Sequence, residues 1–395
     1  MNRLRKMKVD THHDDAKQMR GRVLPLHRAK PVKTPALNNN ILLNKPLEPD
    51  LTKLHYWLNK IHENHWYSNF GPLHDELTQR LEDYLGVKNL LLVNNGTSAL
   101  QVAGRALEVD SVISTPFSYV ATASAFLWQK DDLVFSDIDQ HSYNLCPETA
   151  ENTLNAQPNT DAIVATHVYG NPCDVDAFDA LCAKHHKKMI YDGAHAFGVR
   201  IKNRSVLSYG DASTLSFHAT KLFHTVEGGA IIFKHAEDYE NARSLISCGY
   251  KGGKIVGLGT NAKLNEYQAA VGLVNLALMD DVIAHRQALF TEYNAQLKDY
   301  LQLQQWHPDA TFNGAYMPIV CDNDAQLARV QTALNERNIG SRTYFSPSLD
   351  ELFNAYAPMK TSRDIAQRVL CLPLHFYMQL SEVKLICEIV KQCIK

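Results

Sequence analysis

Between residues 89 and 233, short apolar runs alternate with stretches whose leucines and alanines recur at helical spacing. The runs are NLLLVNN (89–95), SVIST (111–115), LVFSD (133–137), DAIVATHV (161–168), KMIYD (188–192), STLSF (213–217) and AIIF (230–233). Most are apolar at successive positions, as expected for strands covered on both faces. Strands buried in this way and separated by helices make an α/β fold: a mostly parallel sheet flanked by helices. Such sheets take ligands beyond the carboxyl ends of their strands, so the functional residues are to be sought there.

Further along, the pattern changes. NEYQAAVGLVNLALMDDVIAHRQALFTEYNAQLKDYL, from residue 265, reads as one or two long helices. AYMPIVC (315–321) reads as a strand, DAQLARVQTALNERN (324–338) as a helix, and the chain closes on a helix from about 381. These elements predict a smaller C-terminal α+β domain over 266–395, after a large ligand-binding domain over 37–265. Residues 1–36 are basic, carry three prolines and few aliphatics, and are expected to form a flexible arm.

A chain of 395 residues has room for two such domains. Its net charge of −2 makes no case for nucleic acid or a membrane surface. No apolar run approaches the roughly 20 residues that cross a bilayer. The eight cysteines are scattered and include no CxxC pair, which suits a reducing cytoplasm and argues against a zinc site. The paired histidines 13–14 and 185–186 have no consistent ligand partners and read as surface residues.

Each strand runs into something polar. NLLLVNN is followed by GTSAL, where Gly96 permits a turn and Thr97 and Ser98 open a helix. Those hydroxyls and free amides make either an ordinary cap or an anion site. KMIYD delivers Asp192, with His195 three residues on, and STLSF delivers Ser216, His218 and Lys221, followed by Glu227-Gly228-Gly229. An aspartate there can be a turn former and a lysine a solvated group. Together, an anion cradle, an aspartate and a lysine on one sheet edge match the needs of pyridoxal 5′-phosphate. That cofactor takes a lysine for its imine, a cup for its phosphate and a carboxylate beside its ring nitrogen. The lysine must be partly desolvated so that its amine is free to attack.

GTSAL, PFSYVATASAF, YDGAHAFG, GDASTLSFHATKLFHTVEGGAIIF and GTNAKLNEYQAAVGL follow one another in the order of motifs in the DegT/DnrJ/EryC1/StrS sugar aminotransferases, and the chain resembles that family over about residues 40–395. The resemblance implies the fold of type I pyridoxal-phosphate enzymes. It assigns Lys221 as the imine-forming lysine, Asp192 as the partner of the ring nitrogen and His195 as the neighbour of the ring oxygen. It makes Thr97, Ser98 and Ser216 phosphate ligands. Tyr119, which the residues alone would place in the core, becomes the aromatic stacked on the cofactor ring. Asn261 matches an asparagine that reaches a neighbouring subunit's phosphate, which implies a homodimer with shared active sites. The chain departs from the family at Gly193, where alanine is usual, and at Leu264, where methionine is common.

The resemblance further implies an amino group moved from L-glutamate to a nucleotide-linked keto-sugar, with Lys221 as nucleophile and general acid/base. FHATK followed by EGG, together with WYSNFGPLHDEL and GTNAK, looks like members that aminate C4 of dTDP-4-keto-6-deoxyglucose, for lipopolysaccharide O-antigen or other glycans. Amination at C3, or of a UDP-keto-sugar, is the alternative within the family. His218 either holds the sugar or its diphosphate or is a packed histidine. GLGTNA (257–262) fits a dinucleotide pattern, but a long helix follows it where a βαβ unit is required. Relatives that dehydrate the sugar carry histidine in place of the lysine, and Lys221 argues against that branch. A non-catalytic binding protein would have a damaged site, whereas every cofactor position here is filled.

Overall fold

The computed structural model describes residues 40–353 and 358–394; the expected arm at 1–36 lies outside the described residues. The apolar runs form β1 (Leu90–Val93), β2 (Ser111–Ser114), β3 (Asp132–Phe135), β4 (Ala162–Thr166) and β5 (Lys188–Asp192). A short hairpin, β6 (Arg200–Ile201) and β7 (Arg204–Ser205), precedes β8 (Ala212–Ser216) and β9 (Gly229–Phe233). Seven of these strands make one sheet in the order β1-β9-β8-β5-β4-β2-β3. Strands β3, β2, β4, β5 and β8 run parallel, and β9 lies antiparallel between β8 and β1.

Successive residues of the central strands enter opposite cores. Leu90 and Leu92, Ile163 and Ala165, Met189 and Tyr191, and Ala230 and Ile232 face one core. Leu91 and Val93, Ala162 and Val164, Ile190, and Ile231 and Phe233 face the other. The first core is closed by Leu73, Leu77, Leu81 and Leu85 of the helix Pro72–Leu85, and by the helices Pro147–Ala156, Val175–His185 and Glu266–Leu276. The second is closed by Leu100, Val102 and Ala103 of the helix Gly96–Ala106, by Phe126 and by Ala242. Each fully buried Leu, Ile or Val contributes about 1.5–3 kcal/mol, so this double burial is what makes the continuous apolar runs stabilising.

The long helical stretch after residue 265 is two helices, Glu266–Leu276 and Met279–Leu297, bent by 59° at their junction. No single helix among the described residues is long and apolar enough to cross a membrane. A further sheet joins Gln302–Leu303, Met317–Val320 and Val369–Leu372, all antiparallel. Its core takes Leu289, Tyr293 and Leu297 from one helix, Val330 and Leu334 from Asp324–Asn335, and Val383, Ile386 and Val390 from Leu380–Ile394. A smaller aromatic cluster packs Phe117 and Tyr169, from loops beyond the large sheet, against Phe345, Val320 and Cys371. That seam brings the segment 342–345 to the carboxyl ends of the large sheet's strands.

Candidate active site

The site begins with a backbone contact that only glycine permits. Asn95 caps the helix Gly96–Ala106 by accepting from the Ser98 amide at 2.8 Å. A Cβ at Gly96 would stand 2.8 Å from Ser216 Cβ and 3.2 Å from Ser216 Cα. Without that Cβ, the end of β8 meets the start of the helix, and Thr97, Ser98 and Ser216 line one wall of a common cavity. The first-turn amides of a helix have no intrahelical partner, and the helix dipole favours negative charge there. Ser98 N–H is already taken by Asn95, so the Gly96 and Thr97 amides and the three hydroxyls remain for an anion.

Asp192 ends β5 in register with Thr166 of β4 and Thr214 of β8. It is buried; its Oδ1 accepts from the Ala194 amide at 3.1 Å and its Oδ2 from the Thr122 hydroxyl at 2.7 Å. Gly193 follows it. A Cβ there would lie 2.7 Å from Leu207 Cδ2 and 2.9 Å from the Thr214 carbonyl oxygen, which accounts for glycine in this chain.

His195 is buried beside Phe345, with ring centroids 6.0 Å apart and planes 4° from parallel, and Tyr316 lies 4.7 Å away. Its Nδ1 accepts from the Tyr169 amide at 3.2 Å. Burial, with the Lys221 charge adding to it, holds this imidazole well below the usual histidine range, so the ring is neutral. A neutral ring whose Nδ1 accepts carries its proton on Nε2 and is a hydrogen-bond donor at that atom.

Lys221 sits in a turn closed by its own amide donating to the His218 carbonyl at 2.8 Å. Burial lowers its ammonium below the usual lysine range, only partly opposed by the charge of Asp192 and by Tyr344 and Tyr119. No carboxylate lies within ion-pair distance of Lys221 among the described residues. Two contacts tie this turn to the N-terminal segment: Asn44 Nδ2 donates to the Thr220 carbonyl, and His224 Nε2 donates to the Leu47 carbonyl at 2.8 Å.

The cavity measures about 720 Å³ and brings together Thr97, Ser98, Tyr119, Asp192, His195, Ser216, His218 and Lys221. Tyr119 is 57% exposed at its mouth and so is not a core residue. His218 lies on the rim with its Nε2 3.6 Å from Glu227 Oε1 and its Nδ1 2.8 Å from the Thr220 hydroxyl. Asn261 is exposed, accepts from Lys263 Nζ at 2.7 Å and does not line this cavity. Four lining residues, Tyr316, Arg342, Tyr344 and Phe345, come from the C-terminal part of the chain and carry no sequence signal of their own. Thr122 lies within PFSYVATASAF, yet nothing in its spacing marks it as the partner of Asp192.

A cavity that brings together a lysine of lowered pKa, a fixed carboxylate and an anion cradle is matched by what the chain is similar to. The profile described as the DegT/DnrJ/EryC1/StrS aminotransferase family matches residues 53–391. A dTDP-4-amino-4,6-dideoxy-D-glucose transaminase of Shigella dysenteriae is 39% identical over 347 residues, covering 85% of this chain and 94% of the relative. The Escherichia coli protein of the same name is 33% identical over 368 residues, covering 90% and 98%. Among solved structures, DesI in the presence of its TDP-sugar product superposes with a TM-score of 0.85 at 29% identity, over 91% of this chain and 94% of that one. With a matched region that spans most of its length and relatives of this identity, the chain belongs to the DegT/DnrJ/EryC1/StrS aminotransferase family.

Proposed function

We propose that the protein is a pyridoxal 5′-phosphate-dependent aminotransferase that moves an amino group from L-glutamate to C4 of dTDP-4-keto-6-deoxyglucose. The observation that carries the reading is the meeting of Lys221, Asp192 and the Gly96–Ser216 cradle on one cavity. The substrate is taken from the two similar transaminases that act in dTDP-4-amino-4,6-dideoxy-D-glucose formation.

The residues present fit the cofactor. Thr97, Ser98 and Ser216, with the first-turn amides, would hold its phosphate in a cradle that a Cβ at Gly96 would fill. Asp192 would accept from the ring nitrogen, His195 would donate from Nε2 to the ring oxygen, and Tyr119 would cover the ring face. When bound, the cofactor supplies an aldehyde for amine exchange and a protonated ring that withdraws electrons. Burial shifts the Lys221 ammonium toward the free amine, the form in which Nζ acts as nucleophile and as base. Lys221 Nζ takes the proton from the Cα of glutamate and later delivers one to C4 of the sugar. Asp192, fixed at both oxygens, would present its carboxylate to the ring nitrogen in one orientation. Arg342 and His218, at the cavity wall and rim, would meet the anionic parts of the substrates.

A second copy of the chain belongs to this reading. Asn261 lies outside its own cavity and bridges to Ser247, just before the hairpin Tyr250–Lys251 and Lys254–Ile255; Ile255 of that hairpin and Val256 and Leu258 beyond it are 72%, 62% and 94% exposed. Such a patch suits coverage by a partner subunit, with Asn261 reaching the partner's phosphate.

The test is amination of dTDP-4-keto-6-deoxyglucose with L-glutamate, the product read by mass spectrometry and NMR, with UDP-keto-sugars as competitors. Yellow protein that glutamate bleaches with release of 2-oxoglutarate is expected, and Lys221→Ala is expected to abolish turnover. Turnover by Lys221→Ala refutes the assignment of the lysine; nitrogen at C3 refutes the position of amination and leaves the cofactor reading standing.

A further inference from the structure

Asp192 is the last member of a buried chain of hydroxyls. Thr122 Oγ1 donates to Asp192 Oδ2 at 2.7 Å, Ser118 Oγ lies 2.7 Å from Thr122 Oγ1, and Thr166 Oγ1 donates to Ser118 Oγ at 3.0 Å. Thr122 and Thr166 are 0% and 1% exposed and Ser118 is 2% exposed. A hydroxyl has one proton to give. Thr122 gives its proton to the carboxylate and therefore accepts from Ser118, which in turn accepts from Thr166. The chain has one polarity, Thr166 to Ser118 to Thr122 to Asp192. Hydrogen bonds aligned head to tail strengthen one another, by about 10–30% per bond.

The three hydroxyls come from different places in the chain: Thr166 from the end of β4, Ser118 from the loop after β2, and Thr122 from the helix Ala121–Leu127. A threonine in a helix commonly bonds back to the carbonyl one turn earlier. Thr122 instead bonds a carboxylate 70 residues away in sequence. With the Ala194 amide on Oδ1, Asp192 is held at both oxygens, so its carboxyl group cannot rotate without breaking a bond.

We propose that Thr122 is a positioning residue for the transamination, and that the Thr166–Ser118 hydroxyls polarise it so that Asp192 keeps the orientation required by the cofactor's ring nitrogen. The inference rests on the pyridoxal-phosphate reading above. A cluster that only filled the interior would affect stability and leave the cofactor's affinity unchanged; a positioning chain acts on affinity.

Thr122→Val removes the hydroxyl and keeps the branched shape, Thr122→Ser keeps the hydroxyl, and Ser118→Ala removes the second link. Each full-length variant is stripped of cofactor, titrated with pyridoxal 5′-phosphate by fluorescence and absorbance, and melted without cofactor in parallel. Loss of a hydrogen bond to a charged group predicts binding about tenfold weaker in Thr122→Val, with a shifted absorption band of the bound cofactor. Thr122→Ser is expected within about threefold of wild type, and Ser118→Ala between the two. Wild-type affinity and an unshifted band in Thr122→Val overturn the proposal. If that variant does not fold, wild-type affinity in Ser118→Ala overturns it instead. A wild-type protein that fails to bind the cofactor overturns the cofactor reading itself, a result distinct from equal binding by wild type and variant.

Discussion

Gly96→Ala tests the cradle at its narrowest contact. The added Cβ would stand 2.8 Å from Ser216 Cβ, 3.2 Å from Ser216 Cα and 3.2 Å from Ser216 Oγ, where ordinary contact begins at 3.4 Å. The shortfall is 3.4 − 2.8, or 0.6 Å, and one of the three atoms is backbone, so no rotamer change of Ser216 removes it. Alanine in a helix is otherwise favoured over glycine by up to about 1 kcal/mol. Overpacking of this kind costs about 1–3 kcal/mol, so the net change is a destabilisation of about 0–3 kcal/mol. The effect on the site should be larger than the effect on stability. The end of β8 and the helix start must part by about half an ångström, the tolerance within which binding groups have to be held. Since a 1 Å misplacement can cost about a hundredfold, kcat/KM should fall by about tenfold. The assay compares the Kd of pyridoxal 5′-phosphate with that of pyridoxal, which lacks the phosphate, in wild type and variant. The preference for the phosphorylated form should shrink by about tenfold in Gly96→Ala, and pyridoxal binding should change little. An unchanged ratio, in a variant that folds, refutes the claim that this close approach builds the phosphate cradle.

Two further outcomes are expected. Gly193→Ala should lower stability by about 1–3 kcal/mol in urea unfolding, because its Cβ would meet both Leu207 and the Thr214 carbonyl. Adding Leu207→Val should recover only part of the loss, since the carbonyl contact remains; full recovery would contradict the geometry. Stability should also fall between pH 7.5 and 5.5. Burial lowers His167 to about 3 and His375 to about 4, well below the unfolded value near 6.5. As pH drops through 6.5 the unfolded chain binds protons that the folded chain refuses, so the unfolded state gains. Each group contributes about 1.4 kcal/mol over that interval, about 2–3 kcal/mol together, and His195 acts in the same direction. A flat urea midpoint across this range would contradict the assignment of these rings as neutral.

Particular residues show what the chain's order made legible. The strands were readable because burial on both faces leaves an apolar run, and Asp192, Ser216 and Lys221 were readable because they stand at or just beyond the ends of such runs. Direction was not readable: β9 lies antiparallel between β1 and β8, and an apolar run looks the same either way. His195, Tyr119 and Asn261 took their expected roles from resemblance, since no local pattern separates a cofactor neighbour from a core ring or a surface amide.

The residues that were missed share a cause. Tyr316, Arg342, Tyr344 and Phe345 reach the cavity from a segment about a hundred residues beyond Lys221, through the packing of Phe345 on His195 and of Tyr169 on Phe345. Sequence spacing carries no record of a contact made across such a distance. Thr122 shows the same limit at closer range. Its neighbours Ala121, Ala123 and Ala125 make it one small residue among several in a helix, and only the fold reveals that it meets Asp192. Lysine and aspartate announce the chemistry because few buried positions tolerate them. A threonine is tolerated almost anywhere, so its role becomes visible only when its single proton can be traced to an acceptor.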